Sequence, residues 1–197
     1  GGNGLSHFDE TVPFAMPNNG LEVIWNHISR YRGGAVVKNS AQVSVQRNGN
    51  FTPIRMRASL TPPQYLSDGF DGKKDDNVLF YYIQEAKSPA RYTGNVFLVH
   101  ETIDQVNQPR LAWIYNAGQR RVRRAPQVAY DAPGQAADGL RTSDQLDMFN
   151  GAPNRYDWNL VGKKEVYIPY NSYKLVDKNA KYQDIVGAGH INQEYTR

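Results

Sequence analysis

Between Ala35 and Leu60 the chain adopts a period of two and turns back on itself. Val43 and Val45 alternate with Gln42, Ser44 and Gln46, Asn48-Gly49 supplies a tight turn, and Ile54, Met56, Ala58 and Leu60 alternate with Arg55, Arg57 and Ser59. Successive side chains of a strand point to opposite faces, so this spacing puts the apolar residues of the second run on one face and its cations on the other. A helix, whose apolar positions recur every three to four residues, cannot satisfy such a pattern. It predicts a hairpin with one buried face.

The same signature recurs. Runs rich in Val, Ile, Phe, Tyr and Trp follow at 78–83, 94–103 and 111–115, separated by turn-rich gaps, so a meander is the natural topology. The stretch from Asn116 to Pro126 reads as a turn and a short strand stopped by proline. Strand character returns at 156–161 and passes through Gly162 into 163–170. The pair Pro62-Pro63 and the Gly- and Asp-rich stretch 67–74 break the pattern and read as a mobile loop.

Two helices are expected. One starts at an Asn of the pair Asn18-Asn19, carries Leu21, Ile24, Trp25 and Ile28 at helical spacing and ends at Gly33-Gly34. The other is a short helix at 144–149 capped by Thr142 or Ser143. An apolar helix needs a sheet face to cover, and the 13 Tyr suit half-buried sheet positions whose hydroxyls reach water or backbone. The fold predicted is mostly β, of the α+β kind: a strongly curved antiparallel sheet with helical cover.

With 197 residues, 40% of them hydrophobic, the chain is long enough to bury a core and too apolar to be disordered. It opens on Gly1-Gly2-Asn3-Gly4 and stops on Glu194-Tyr195-Thr196-Arg197 without a cap, and both ends read as cut. A net charge of +4 favours anionic partners only slightly. No run approaches the roughly 18 apolar residues of a membrane-spanning helix, so the chain is not expected to span a membrane. The absence of Cys removes disulfides, thiolate metal sites and cysteine nucleophiles together.

No grouping of residues announces chemistry. His7, His27, His100 and His190 stand apart, with none of the spacings that set a metal on one helix face. His100 shares a strand face with Val96 and Leu98 and reads as a hydrogen-bonded structural histidine. Asp75-Asp76 and the Asp68, Asp71 pair resemble a calcium loop only weakly, lacking the glycine and terminal glutamate at the required spacing. There is no nucleophile elbow and no phosphate-cradling glycine loop, so neither catalytic residue, cofactor nor metal is expected and the chain is read as no enzyme.

The densest charge lies in Arg120, Arg121, Arg123 and Arg124. Alternation puts Arg121 and Arg123 on one face and Arg120, Arg124 and Val122 on the other. Nucleic-acid binding needs such cations beside stacking aromatics. Trp113 and Tyr115 lie on another strand, where core packing explains them equally well, so no nucleic-acid partner is expected. A solvated edge strand and an anionic contact both account for the cluster.

Longer matches carry a resemblance. Ala112-Trp113-Ile114-Tyr115, the run Gly118-Gln119-Arg120-Arg121-Val122-Arg123-Arg124-Ala125-Pro126 and Tyr130-Asp131 closely resemble a family of Gram-negative proteins known as domain of unknown function 1329. So do Asp147-Met148-Phe149-Asn150-Gly151, Arg155-Tyr156-Asp157-Trp158, and Leu160-Val161-Gly162-Lys163-Lys164-Glu165 with Tyr167-Ile168-Pro169-Tyr170-Asn171. The resemblance runs over most of the chain. It implies an exported, periplasmic protein whose leader has been removed, related to the outer-membrane lipoprotein-sorting proteins LolA and LolB. The fold implied is an incomplete, half-open antiparallel β barrel lidded by helices. It further implies that residues 1–197 are a single LolA/LolB-like domain and a fragment of a longer protein, with more strands beyond Arg197.

The function expected on these grounds is a non-catalytic carrier or binding protein for lipid, a lipoprotein acyl chain or another hydrophobic ligand. Such a ligand would lie between the curved sheet and the first helix, against Ile24, Trp25, Val96, Leu98, Leu111, Trp113 and Tyr115. The alternative is a cell-envelope interaction module that docks on an outer-membrane or export component through Arg120, Arg121, Arg123 and Arg124.

Overall fold

A computed structural model of the chain describes residues 2–5, 12–67, 76–125, 128–187, 190–191 and 195. His7, most of the predicted loop at 67–74, Asp75 and Pro126 lie outside the described residues. The fold is mostly β, an open curved sheet rather than a closed barrel. Six strands, β1 (Val36–Gln42), β2 (Ile54–Thr61), β3 (Val78–Ser88), β4 (Val96–Thr102), β5 (Leu111–Asn116) and β6 (Arg121–Arg124), pair antiparallel in sequence order. The predicted meander is therefore present, with β1 and β6 as its edges.

The period of two assigns the faces. On β2, Ile54, Met56 and Ala58 are buried while Arg55 and Arg57 are exposed, as the hairpin pattern predicts. Cross-strand partners share a face, so the register extends this first face to Phe80, Tyr82, Val99, Glu101 and Ala112. A register shift between Val78 and Phe80 lets the consecutive Leu79 and Phe80 both enter the core.

One helix, α1 (Gly20–Ser29), covers the first face. Trp25 and Ile28 join Leu79, Phe80 and Ile103 in one buried cluster, with Leu21, Ile24, Leu60, Tyr82 and Phe149 packed around it. Each such side chain contributes about 1.5–3 kcal/mol when fully buried. Asn19 caps the helix by accepting from the Glu22 amide at 2.9 Å, and the Glu22 carboxylate accepts from the Asn18 amide at 2.6 Å.

The helix stops at Ser29 rather than at Gly33, because two guanidinium groups replace its next turn. Arg30 donates to the His27 carbonyl and Arg32 to the Ile28 carbonyl, each at 2.6 Å, and both arginines pair with Asp147. Residues 129–158, largely without regular structure, complete the cover. Gln42 donates to the Ala136 carbonyl at 2.5 Å, and Arg110 donates to the Asn150 carbonyl at 2.9 Å and to its side-chain oxygen at 2.8 Å.

Three expectations fail here for local reasons. Val43 and Val45 lie in the connection, because the residue facing Val43 would be Pro53, which has no amide to donate; the Asn48-Gly49 turn remains, with Gly49 at φ 82°. The helix at 144–149 is absent: Asp147 and Met148 have φ of 57° and 70°, which end the turn. The runs 156–161 and 163–170 join no ladder among the described residues.

Candidate functional site

The second face of the sheet is the side that α1 and residues 129–158 leave uncovered. Its register brings together Ser59, Ile83 and Leu98, then Leu98 with Trp113 and Trp113 with Arg124. A parallel row runs Tyr81, His100 and Leu111, and another Glu85, Val96, Tyr115 and Val122. None of these residues is buried, in contrast to the first face, where Val99 and Ala112 are 5% and 1% exposed. Ile83 at 45%, Val37 at 57% and Val122 at 64% stand in water outright.

Three aromatic rings cross the middle of this face. Tyr81 meets His100 edge-on with centroids 4.8 Å apart, and His100 meets Trp113 at 4.9 Å. Edge-to-face pairs at this spacing add about 0.5–1.5 kcal/mol beyond area burial and hold the rings in place. Cations flank this apolar floor: Arg55 and Arg57 on β2, and Arg124 on β6. Glu85, across from Arg57, is paired to Lys87 at 2.6 Å.

The residues singled out in the sequence therefore divide between the two sides. Val96, Leu98, Leu111, Trp113 and Tyr115 come together on the second face as alternation required. Ile24 and Trp25 do not join them. Trp25 is 3% exposed, donates from its indole to the Gly2 carbonyl at 3.3 Å and packs in the core with Ile24 beside it, so the helix fills the space over the first face. An apolar ligand lying between helix and sheet would displace that core.

Tyr81, Ile83 and Val122 were missed, because alternation within a strand does not say which residues of neighbouring strands meet; only the register does. Among the arginines, Arg120 has φ 51° and sits in the turn, while Arg121 and Arg123 lie on the first-face side and Arg124 on the second. All four are exposed, Arg121, Arg123 and Arg124 on β6, which has no outer ladder partner among the described residues.

The buried polar groups serve the cover. Glu101, 2% exposed, lies with Oε1 3.1 Å from Arg110 Nε, an ion pair whose angle falls short of a hydrogen bond. Burial pushes the Glu101 carboxyl up, against the opposing pull of Arg110. Asp147 moves the other way: partial burial raises it, but the hydrogen bond and charge of Arg30, with Arg32 behind, hold it below the usual aspartate range. Asp144 accepts from Thr142 at 2.6 Å and from the Tyr156 hydroxyl, and that bond raises the Tyr156 phenol. Phe149, Tyr156 and Trp158 cluster beside it, their rings edge-on or tilted to one another with centroids 4.9–5.8 Å apart. No group of three or more His, Asp or Glu that could hold a metal occurs among the described residues. Nor is any described helix long and apolar enough to cross a membrane.

Fold and site together define a mostly β protein built on an open six-stranded sheet, with one face covered and an aromatic face left open among the described residues. The chain belongs to the family described as "Protein of unknown function (DUF1329)", which matches residues 1–197. Over all 197 residues it is 61% identical to a protein of Pseudomonas aeruginosa described as "Uncharacterized protein PA3922". The chain spans 43% of that relative's length. A crystal structure of a DUF1329 family protein from Desulfovibrio piger aligns with 73% of this chain and 53% of its own, at 20% identity and a TM-score of 0.49.

Proposed function

We propose that the chain is a non-catalytic carrier or binding domain for a hydrophobic ligand, such as a lipid or the acyl chain of a lipidated protein, working in the periplasm. The observation that carries this reading is the second sheet face, where Ile83, Leu98 and Trp113 form an apolar floor and the Tyr81, His100, Trp113 row crosses it. Leu98 and Trp113 are half-buried and Ile83 is open to water, and a contiguous apolar patch of this kind is a candidate binding surface. Burying an acyl chain gains about 0.8 kcal/mol per CH₂. Arg55, Arg57 and Arg124 beside the floor suit an anionic head group. The relation to the lipoprotein-sorting proteins LolA and LolB that the sequence resemblance implies, taken as part of this proposal, points to the same function.

A second reading, docking on an outer-membrane or export component, is favoured by the four arginines exposed along the free edge at β6. One experiment on the full-length polypeptide separates the two. Under the carrier reading, Leu98→Ser with Trp113→Ser weakens displacement of a fluorescent fatty acid by about tenfold or more, and charge reversal at Arg121 and Arg123 does not. If charge reversal alone abolishes recovery of envelope proteins and the wild-type protein shows no saturable displacement, the docking reading replaces it.

A further inference from the structure

Among the described residues the most exposed apolar stretch lies apart from the sheet, at residues 160–170. Val161 is 76% exposed, Val166 72%, Ile168 66% and Tyr170 69%, and Tyr167 is open to water on all sides. Isolated apolar residues on a surface are ordinary, but a cluster this dense marks a surface meant to be covered.

The segment is extended and carries the composition of a strand. After Gly162, at φ 109°, Val166 and Ile168 fall on one side of an extended backbone and Lys163, Glu165 and Tyr167 on the other, until Pro169 ends the run. Its backbone has no ladder partner among the described residues. Its root is nevertheless held. The Trp158 indole donates to the Pro153 carbonyl at 2.9 Å, its ring meets Phe149 edge-on at 4.9 Å, and the Trp158 backbone crosses the first turn of α1 at Gly20. A strand anchored at one end and unpaired along its length lacks only a neighbour.

The edge β6 of a second copy is a poor neighbour in any register that sets Lys163 and Lys164 against Arg121, Arg123 or Arg124, because like charges across a ladder are destabilising. The Pseudomonas aeruginosa relative, of which these 197 residues cover 43%, has more than half its length outside the match. We infer that residues 163–168 are a β-strand completed by a strand from the polypeptide outside these 197 residues, independently of any ligand on the sheet.

Hydrogen exchange on a polypeptide of the relatives' full length tests this. The amides of 163–168 are expected to exchange on the order of a hundredfold or more slower than unstructured amides, at every protein concentration. Val166→Pro removes one ladder donor and should abolish that protection while β2, β3 and β4 keep theirs, with a lowered Tm. Exchange at the unstructured rate in the wild-type polypeptide overturns the inference, whatever the variant does. So does protection that appears only as concentration rises, which would make a second copy the occupant.

Discussion

Glu101 and Arg110 show how one polar pair can determine whether the cover stays closed. The carboxylate is sealed on the first face, and Arg110 reaches from it to Asn150 in the irregular segment, linking sheet to cover. Removing the guanidinium leaves a buried charge without a partner, so Arg110→Met is expected to cost about 3–5 kcal/mol at pH 7. The pH dependence follows from the direction of the Glu101 shift. Its folded value already lies above the ordinary one because of burial, and without Arg110 it rises further. A protonated carboxyl costs far less to bury, so the stability is retained below the ordinary glutamate value and lost as pH rises through the folded one. Urea unfolding of the variant and the wild type at pH 7 and pH 5 should show the deficit shrinking at the lower pH. An equal deficit at both would mean that Glu101 is not the group left exposed to the loss.

At the scale of elements, α1 and the chain at Trp158 meet so closely that only glycine fits. A Cβ on Gly20 would stand 2.5 Å from the Trp158 carbonyl oxygen and 2.9 Å from the Asn159 nitrogen, both backbone atoms that cannot rotate away. Alanine is the better helix former by about 1 kcal/mol, yet the clash outweighs this. Gly20→Ala is expected to lower stability by about 1–3 kcal/mol, read from the urea midpoint; a rise would show that the crossing is loose.

Most elements were legible in the sequence because their signals are local. The Asn cap and the spacing of Leu21, Ile24, Trp25 and Ile28 placed α1, and alternation placed the faces of β2 and β4. What was not legible depended on partners. Strand β3 runs on through the polar Gln84–Ser88 stretch because ladders on both sides hold it, and β1 ends at Gln42 because Pro53 cannot pair onward. The arginines that shorten α1 act through Asp147, more than a hundred positions away. The runs at 156–161 and 163–170 have strand composition but join no ladder among the described residues, since composition carries no information about whether an edge is at hand.

For the whole molecule, the decisive feature is that helix and strand candidates lie on opposite sides of one sheet. Sequence spacing grouped Leu98 with Trp113 correctly, but nothing local could say that Trp25 packs on the far side. The covered face is a filled core. The other face, left uncovered among the described residues and aromatic at its centre with cations beside it, is where the proposed hydrophobic ligand would rest. A photoreactive fatty acid, carried near the end of its chain by a diazirine, tests this most directly when illuminated with the full-length polypeptide and the adducts mapped by mass spectrometry. Saturable labelling at Ile83, Leu98 and Trp113, competed by unlabelled fatty acid, with Ile24 and Trp25 unlabelled, is the result predicted. Labelling confined to α1, or none that an unlabelled fatty acid competes away, would contradict it.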